Sequence, residues 1–385
     1  MAQRWDAVIV GAGAAGLALA ARLASGGWRE RRVLLVDDGS TAIEDRSWAY
    51  WSAVPRPVDA AAAVAVNRFR LHALGRGATV PLGRYRYRQV RGVDLRAWVD
   101  RSLATAPGFV IADGHVDAVD DGDDHALVRF GRPAGREVEA EWVFDARRPG
   151  GPPAVPELTL SFCGWEVETE RPVFDPSAVT LFDFRTERHR EGRFVYLLPT
   201  GSRTALVEYT AFSRQPAEDG SDALAAYLSE VLDAGQYRVT RVERGALPLG
   251  RPATRRSGRR ALRIGVAGGL LKAGTGYAFD RIQRDAEAVV ASLRTYGHPY
   301  ALPVPARRHR YLDQVLLRVL AAEPQQLERV FAQLFRANPA ERVLRFLDED
   351  TTRVEEARLI ATLRPAPFLR AARSLSGDAF RKALG

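Results

Sequence analysis

The chain has 385 residues, 46% of them hydrophobic, and 56 basic residues against 47 acidic ones give a formal net charge of +9. That length exceeds what one hydrophobic core ordinarily serves, so about two intertwined domains are expected. A single cysteine, Cys163, excludes an internal disulfide framework and most thiolate metal sites and points to a reducing cytoplasm, while no run reaches the roughly 18 apolar residues of a membrane span.

The first predicted strand, around Val8–Val10, runs into Gly11-x-Gly13-x-x-Gly16 and then an Ala/Leu-rich helical pattern. Strand, glycines and helix in that order are the context of a dinucleotide fingerprint, in which the backbone approaches a pyrophosphate at a helix N-terminus. The second strand, Val33-Leu-Leu-Val36, ends at Asp37, 21 positions beyond Gly16 (37 − 16). An acid about 20 residues on suits a ribose hydroxyl and repels a 2′-phosphate.

From Glu44 to about Gln89 the chain reads as irregular and rich in arginine and aromatics. Helical spacing follows over 94–104, then strands around 109–112 and 126–130, then Trp142-Val-Phe-Asp-Ala-Arg147. The cluster Arg148-Pro-Gly-Gly-Pro-Pro153 marks a domain crossing. Two-residue alternation from Leu158 to Leu247 predicts an antiparallel sheet, with 193–199 and 204–212 as a hairpin. A helix is expected over 222–232, and 241–250 reads as a return strand or loop. A second glycine segment, Gly265 to Phe279, opens a helix over 281–295, and the chain from Tyr311 onward is mostly helical.

Strand alternation puts Leu206, Glu208, Thr210 and Phe212 on one face of the hairpin and Ala205, Val207, Tyr209 and Ala211 on the other. Glu208 is then either a salt-bridge partner on a sheet face or a buried carboxyl, whose proton affinity rises until it serves as a general acid. The aromatics of this region either pack a strand core or line an apolar tunnel that stabilises a cation. Lys272 is the only lysine before Lys382 in an arginine-rich chain, which makes a phosphate or flavin contact or a chance surface position the two readings. The six histidines have no metal-ligand spacing, and no metal site is expected. Dispersed arginines without a recognition motif argue against nucleic acid and favour an anionic membrane surface.

Together these segments resemble the bacterial lycopene β-cyclase family of FAD-dependent carotenoid cyclases. The resemblance rests on Gly11 to Gly16 with Asp37, on Asp45-Arg-Ser-Trp48, and on Phe162-Cys-Gly-Trp-Glu-Val-Glu168. It continues through Pro172-Val-Phe-Asp-Pro176, Leu181-Phe-Asp-Phe-Arg185, Phe194-Val-Tyr-Leu-Leu-Pro199 and Leu206-Val-Glu-Tyr-Thr210. Lys272 to Phe279 resembles the family's second flavin motif, and Phe346-Leu-Asp-Glu-Asp-Thr351 its C-terminal region.

The resemblance implies an α/β fold: a glutathione-reductase-like FAD-binding Rossmann domain, an antiparallel β-sheet substrate domain and a C-terminal helical region. The expected boundaries are 1–50, 90–150 and 245–300 for the first, 51–89 and 151–244 for the second, and 301–385 for the third. The implied reaction turns the open end groups of lycopene or a related linear carotenoid into β-rings. It is proton-initiated and without net redox change, with FAD active in its reduced form and NAD(P)H as reductant. Glu208 matches the family's essential hairpin acid. Tyr209 stands where many relatives carry a second acid, so Glu166, Glu168 or Asp183 is the expected second carboxylate. The family's methionine before the Asp-Phe pair is Phe182 here.

Cofactor contacts are expected from Gly11, Gly13, Ala14, Ala15, Gly16, Asp37, Asp38 and Arg46 in the first half. In the second they are expected from Gly268, Gly269, Lys272, Gly274, Thr275, Gly276 and Tyr277. Trp165, Phe182, Phe184, Tyr196 and Tyr209 are the expected substrate-lining residues. A carotenoid substrate implies a cytoplasmic protein docking peripherally on membrane, with Arg307-Arg-His-Arg-Tyr311 and 363–375 as candidate segments. The alternatives are an FAD-dependent hydroxylase or isoprenoid reductase on the same fold, and a flavin- or lipid-binding protein without catalysis.

Overall fold

Continuous apolar runs produce the first sheet. Val8, Ile9, Val10 and Val33 to Val36 are buried, as strands covered on both faces require. The computed structural model describes residues 3–40, 42–147, 156–186, 191–215, 219–250 and 256–384. The expected crossing at 148–153 and His189 lie outside the described residues.

Val33–Asp37 and then Phe109–Asp113 pair in parallel on one side of Gln3–Val10, and Glu137–Asp145 pairs in parallel on the other. Ala261–Arg263 joins the end of Glu137–Asp145, while the antiparallel strands Ala126–Arg132 and His115–Asp121 extend from its beginning. The helices Ala14–Ser25, Gly92–Leu103 and Phe279–Tyr296 cover one face through Leu17, Leu95, Phe279 and Val289. Trp5, Val8, Leu34 and Phe130 fill the other.

The second sheet runs Tyr237–Leu249, Leu158–Thr169, Thr204–Ser213, Gly192–Pro199, Val179–Asp183, Arg68–Ala73, Arg76–Pro81. All its pairings are antiparallel except that of Val179–Asp183 with Arg68–Ala73. The expected hairpin is present, with Tyr196 directly opposite Glu208. A third sheet of Ser47–Ser52, Arg86–Arg91 and Ala62–Val66 bridges the first two.

The stretch expected to be irregular therefore contains five strands between Ser47 and Arg91. The period-two signal was there, with arginine at the polar positions. Phe69, Leu71 and Ala73 are buried between Arg68, Arg70 and His72, and Tyr85 and Tyr87 between Arg84, Arg86 and Arg88.

Five helices, Arg307–Ala322, Gln326–Ala337, Ala340–Leu347, Arg353–Ala361 and Pro365–Leu384, follow. Phe331, Leu334, Phe335 and Leu344 from this region pack into one cluster with Phe69, Leu71 and Phe182 of the second sheet. Much of the expected docking segments is committed to packing: His309 is buried, Arg308 pairs with Glu356 at 3.0 Å, and Leu363 and Phe368 lie against the core. Leu369 remains exposed. Among the described residues no helix is long and apolar enough to cross a membrane.

Candidate active site

One cavity of about 900 Å³ joins the first sheet to the second. At one end its wall is the glycine turn, Gly11, Gly13, Ala14 and Ala15, with Asp37, Asp38 and Arg46 beside it. At the other end it is the inner face of the second sheet, with Leu160, Phe162, Tyr196, Leu206 and Glu208. That volume is near the top of the usual range for small-molecule sites, about 300–1,000 Å³.

The first end suits a dinucleotide. Gly11 has φ +100°, and a Cβ on Gly16 would lie 1.9 Å from the Gly11 carbonyl oxygen, so only glycines allow the strand to turn this tightly into the helix. Nothing lies within 4 Å of where a Gly13 Cβ would be, which leaves the backbone open to the cavity. Asp37 accepts from the Ala12 amide at 2.5 Å and from the Gly39 amide at 2.9 Å, which fixes its carboxylate at the cavity wall. Asp38 accepts from Ser40 and meets His115 Nδ1 at 2.9 Å, and these bonds hold its carboxyl down at about 2. The glycine cradle, the fixed acid and the room beside them fit FAD. The second glycine segment contributes Gly265, Thr275, Gly276 and Tyr277 to the wall.

At the other end, Glu208 projects from the middle of its strand, and what surface it retains opens into the cavity. Burial, then the charge of Glu243, pushes its carboxyl up to about 8, against the Thr210 hydroxyl that donates to Oε1 at 3.1 Å. Glu208 and Glu243 interact electrostatically although a strand lies between theirs. Gly164 occupies that middle position, paired with Glu208 on one side and Glu243 on the other. A Cβ there would come within 3.0 Å of Glu243 Cγ and 3.1 Å of Leu206 Cδ1.

Glu243 is buried and still well partnered. Ser47 Oγ donates to both its oxygens at 3.0 and 3.1 Å, and Arg241 reaches Oε2 at 2.9 Å. Burial outweighs the opposing pull of Arg241 and Ser47, so the Glu243 carboxyl too lies above its ordinary value. Arg241 is itself held by Glu166 at 2.8 Å and the Asp45 carbonyl at 2.6 Å. Across the cavity the Tyr87 and Tyr277 hydroxyls lie 2.9 Å apart, and burial raises both phenols. Among the described residues the Tyr196 hydroxyl has no hydrogen-bond partner.

The sequence matches the lycopene cyclase protein family over residues 6–373. The chain belongs to that family. No curated protein matches it closely enough in sequence to count as a relative. Among solved structures, a geranylgeranyl bacteriochlorophyll reductase-like protein from Thermoplasma acidophilum is 12% identical, with 97% of this chain and 99% of that one covered at TM-score 0.58. A flavoprotein/dehydrogenase from Cytophaga hutchinsonii is also 12% identical, over 98% and 100% at TM-score 0.61. An anhydrotetracycline hydroxylase from Streptomyces rimosus is 19% identical, over 95% and 76% at TM-score 0.53. At these identities the likeness establishes a shared fold.

Several positions expected to serve the site in this cyclase-family chain lie elsewhere. Lys272 is not on the cavity wall: its ammonium is buried between Asp313 at 2.8 Å and Glu349 at 3.1 Å, so its charge is neutralised within the protein. Gly268, Gly269 and Gly274 are off the wall too. Asp183 is fully buried against Arg185 and the Tyr227 hydroxyl, away from the cavity, and Glu166 reaches the acids only through Arg241. Glu168 pairs with Arg238 at 2.6 Å on the surface.

Trp165 and Tyr209 pack on the opposite face of the second sheet, as alternation dictates for odd positions beside Glu208. Phe182 packs against Phe331 with the rings tilted by 31° and their centroids 4.4 Å apart, and neither it nor Phe184 lines the cavity. Tyr196 alone of the expected substrate aromatics does. Glu243 was missed because its strand lies at the sheet edge, where Arg241 and Arg244 made it look solvated. The available signal was Leu247 four residues on, whose inward position implies an inward Glu243. Among the described residues no cluster of histidine, cysteine or carboxylates is arranged to hold a metal ion.

Proposed function

We propose that this protein is a flavin-dependent lycopene cyclase that converts open end groups of lycopene, or of a related linear carotenoid, to β-rings without net redox change. One observation carries the reading. A carboxyl that stays protonated at neutral pH, Glu208, lines the apolar end of the cavity whose other end has a dinucleotide cradle. Proton donation to an alkene needs such an acid, whereas delivery of oxygen does not; hydride addition to an alkene also takes up a proton, and product mass separates it from cyclisation.

Glu208 would protonate the terminal double bond, and the internal double bond would attack the resulting cation to close the ring. Loss of a ring proton then restores neutrality. Leu160, Phe162, Leu206 and Leu247 exclude water that would otherwise capture the cation. Reduced FAD, held by the Gly11–Gly16 turn and Asp37 and charged by NAD(P)H, would supply electron density that stabilises positive charge. A carotenoid arrives from a bilayer, so the reading includes peripheral contact with membrane, for which a net charge of +9 favours anionic lipid.

The test incubates the purified protein with lycopene in liposomes, FAD and NADPH without oxygen. The expected product has the mass of lycopene and shortened conjugation. A product that gains oxygen or hydrogen would identify an oxidoreductase instead, and absence of turnover with bound flavin would favour a binding protein.

A further inference from the structure

The two acids of the cavity are held in different ways. Glu243 has a guanidinium at 2.9 Å and a hydroxyl donating to both oxygens, an environment built for a carboxylate. Among the described residues Glu208 has one hydroxyl, from Thr210, and no paired cation. Paired acids whose surroundings differ in this way divide into a proton donor and a proton acceptor. Both line the same cavity and flank the side-chain-free Gly164 on neighbouring strands, which gives a proton a short path between them away from bulk solvent.

We propose that Glu243 is the base of the reaction: it removes the ring proton that ends cyclisation and returns it to Glu208. This inference rests on the cyclase reading above. The atoms balance. The O–H bond of Glu208 breaks as its proton bonds to the terminal alkene carbon, and the internal double bond supplies the electron pair for ring closure. A ring C–H bond adjacent to the cation then breaks, its electrons forming the ring double bond and its proton going to Glu243. Transfer across the Glu243–Glu208 contact restores the starting pair, and no oxidant or reductant is consumed.

Arg241, with Glu166 behind it, and Ser47 position the base and favour its carboxylate form against burial. The other titratable groups near the pair are the phenols of Tyr87 and Tyr277, which burial keeps neutral. Gly164 matters here because any side chain there would press on the Glu243 side chain.

The experiment compares wild type with Glu243→Gln and Glu243→Asp on lycopene in liposomes with reduced flavin, recording kcat, its pH profile, the position of the ring double bond and flavin content. Glu243→Gln is expected to keep its flavin and lose about 100-fold in kcat, in the range of general-base catalysis. Its residual product should carry a mixture of ring double bonds, because no base selects the departing proton. Its acid limb should vanish and its alkaline limb move to lower pH, since the neighbouring charge that holds the Glu208 proton is gone. Glu243→Asp should recover part of the rate and a single ring isomer.

Unchanged kcat and ring isomer in Glu243→Gln would overturn the proposal while leaving the cyclase reading intact. A wild-type profile without an acid limb would overturn it even if both variants failed to fold. A wild type that makes no ring at all would remove the cyclase reading, and this role with it.

Discussion

Trp51 Nε1 donates to Asp348 Oδ1 at 2.8 Å, linking the bridging sheet to the end of the Ala340–Leu347 helix 297 residues away in sequence. Asp348 also faces Arg284 at 3.3 Å, and Arg284 continues to Asp280 at 2.7 Å. Burial pushes the Asp348 carboxyl up to about 7 despite Arg284.

That shift sets a pH dependence of stability. Between about 4 and about 7 the folded protein binds a proton at Asp348 that the unfolded chain releases, so this group makes stability fall as pH rises through that window. Its cost is absent below the unfolded value and complete above the folded one. Asp348→Asn keeps an acceptor for Trp51 and does not titrate. The Tm of the variant relative to wild type should therefore rise by about 2–4 °C between acidic and mildly alkaline buffer. Parallel pH profiles of Tm would show that Asp348 is not the titrating group.

Glu208 gives a second expectation, on activity. In the proposed reaction only its protonated form donates, so kcat should hold up to about pH 8 and then fall, approaching tenfold per pH unit. Glu208→Gln keeps the size of the side chain and leaves the glycine turn untouched. Steady-state assays should find a loss of about 100-fold or more, with flavin absorbance per protein unchanged. Flavin lost along with activity would point instead to a fault in the fold.

Lys272 has a different consequence. Its ammonium neutralises Asp313 and Glu349, and Arg281 reaches the same Glu349 at 3.1 Å. Lys272→Met would leave Asp313 buried without its cation, a loss of about 3–5 kcal/mol by comparison with other broken buried pairs. Chemical denaturation should report that loss, while the flavin affinity of the folded fraction stays the same. A large fall in flavin affinity with native stability would restore a cofactor role to this lysine.

These residues also show where the sequence was legible. The hairpin faces were readable because strand alternation is local: Leu206, Glu208 and Thr210 reach the cavity while Val207 and Tyr209 turn away. The glycine turn and Asp37 were readable because they belong to one short βαβ unit. The partners of Lys272 lie 41 and 77 residues further on, and no local pattern ties them to it. Glu243 meets Glu208 only through the register of two nonlocal strand pairs, which alternation leaves free to slide in steps of two. The arginine strands before Arg91 were obscured by composition, since guanidinium stems cover a sheet as apolar residues do.

Gly164 tests the spacing of the acids without altering either one. A methyl group there would meet Glu243 Cγ at 3.0 Å and Leu206 Cδ1 at 3.1 Å, closer than side chains normally pack. The Glu243 carboxylate has two ties that resist displacement, Ser47 and Arg241, whereas its contact with Glu208 has no cation to hold it. The contact between the acids should therefore yield first. Separation weakens the repulsion that keeps Glu208 protonated, so Gly164→Ala should lower kcat by about tenfold and move the alkaline limb to lower pH. Flavin content should be unchanged, because the nearest contacts of a Cβ there are Glu243 and Leu206, away from the glycine turn. A Gly164→Ala enzyme with the native pH profile would show that the two carboxyls do not depend on this gap.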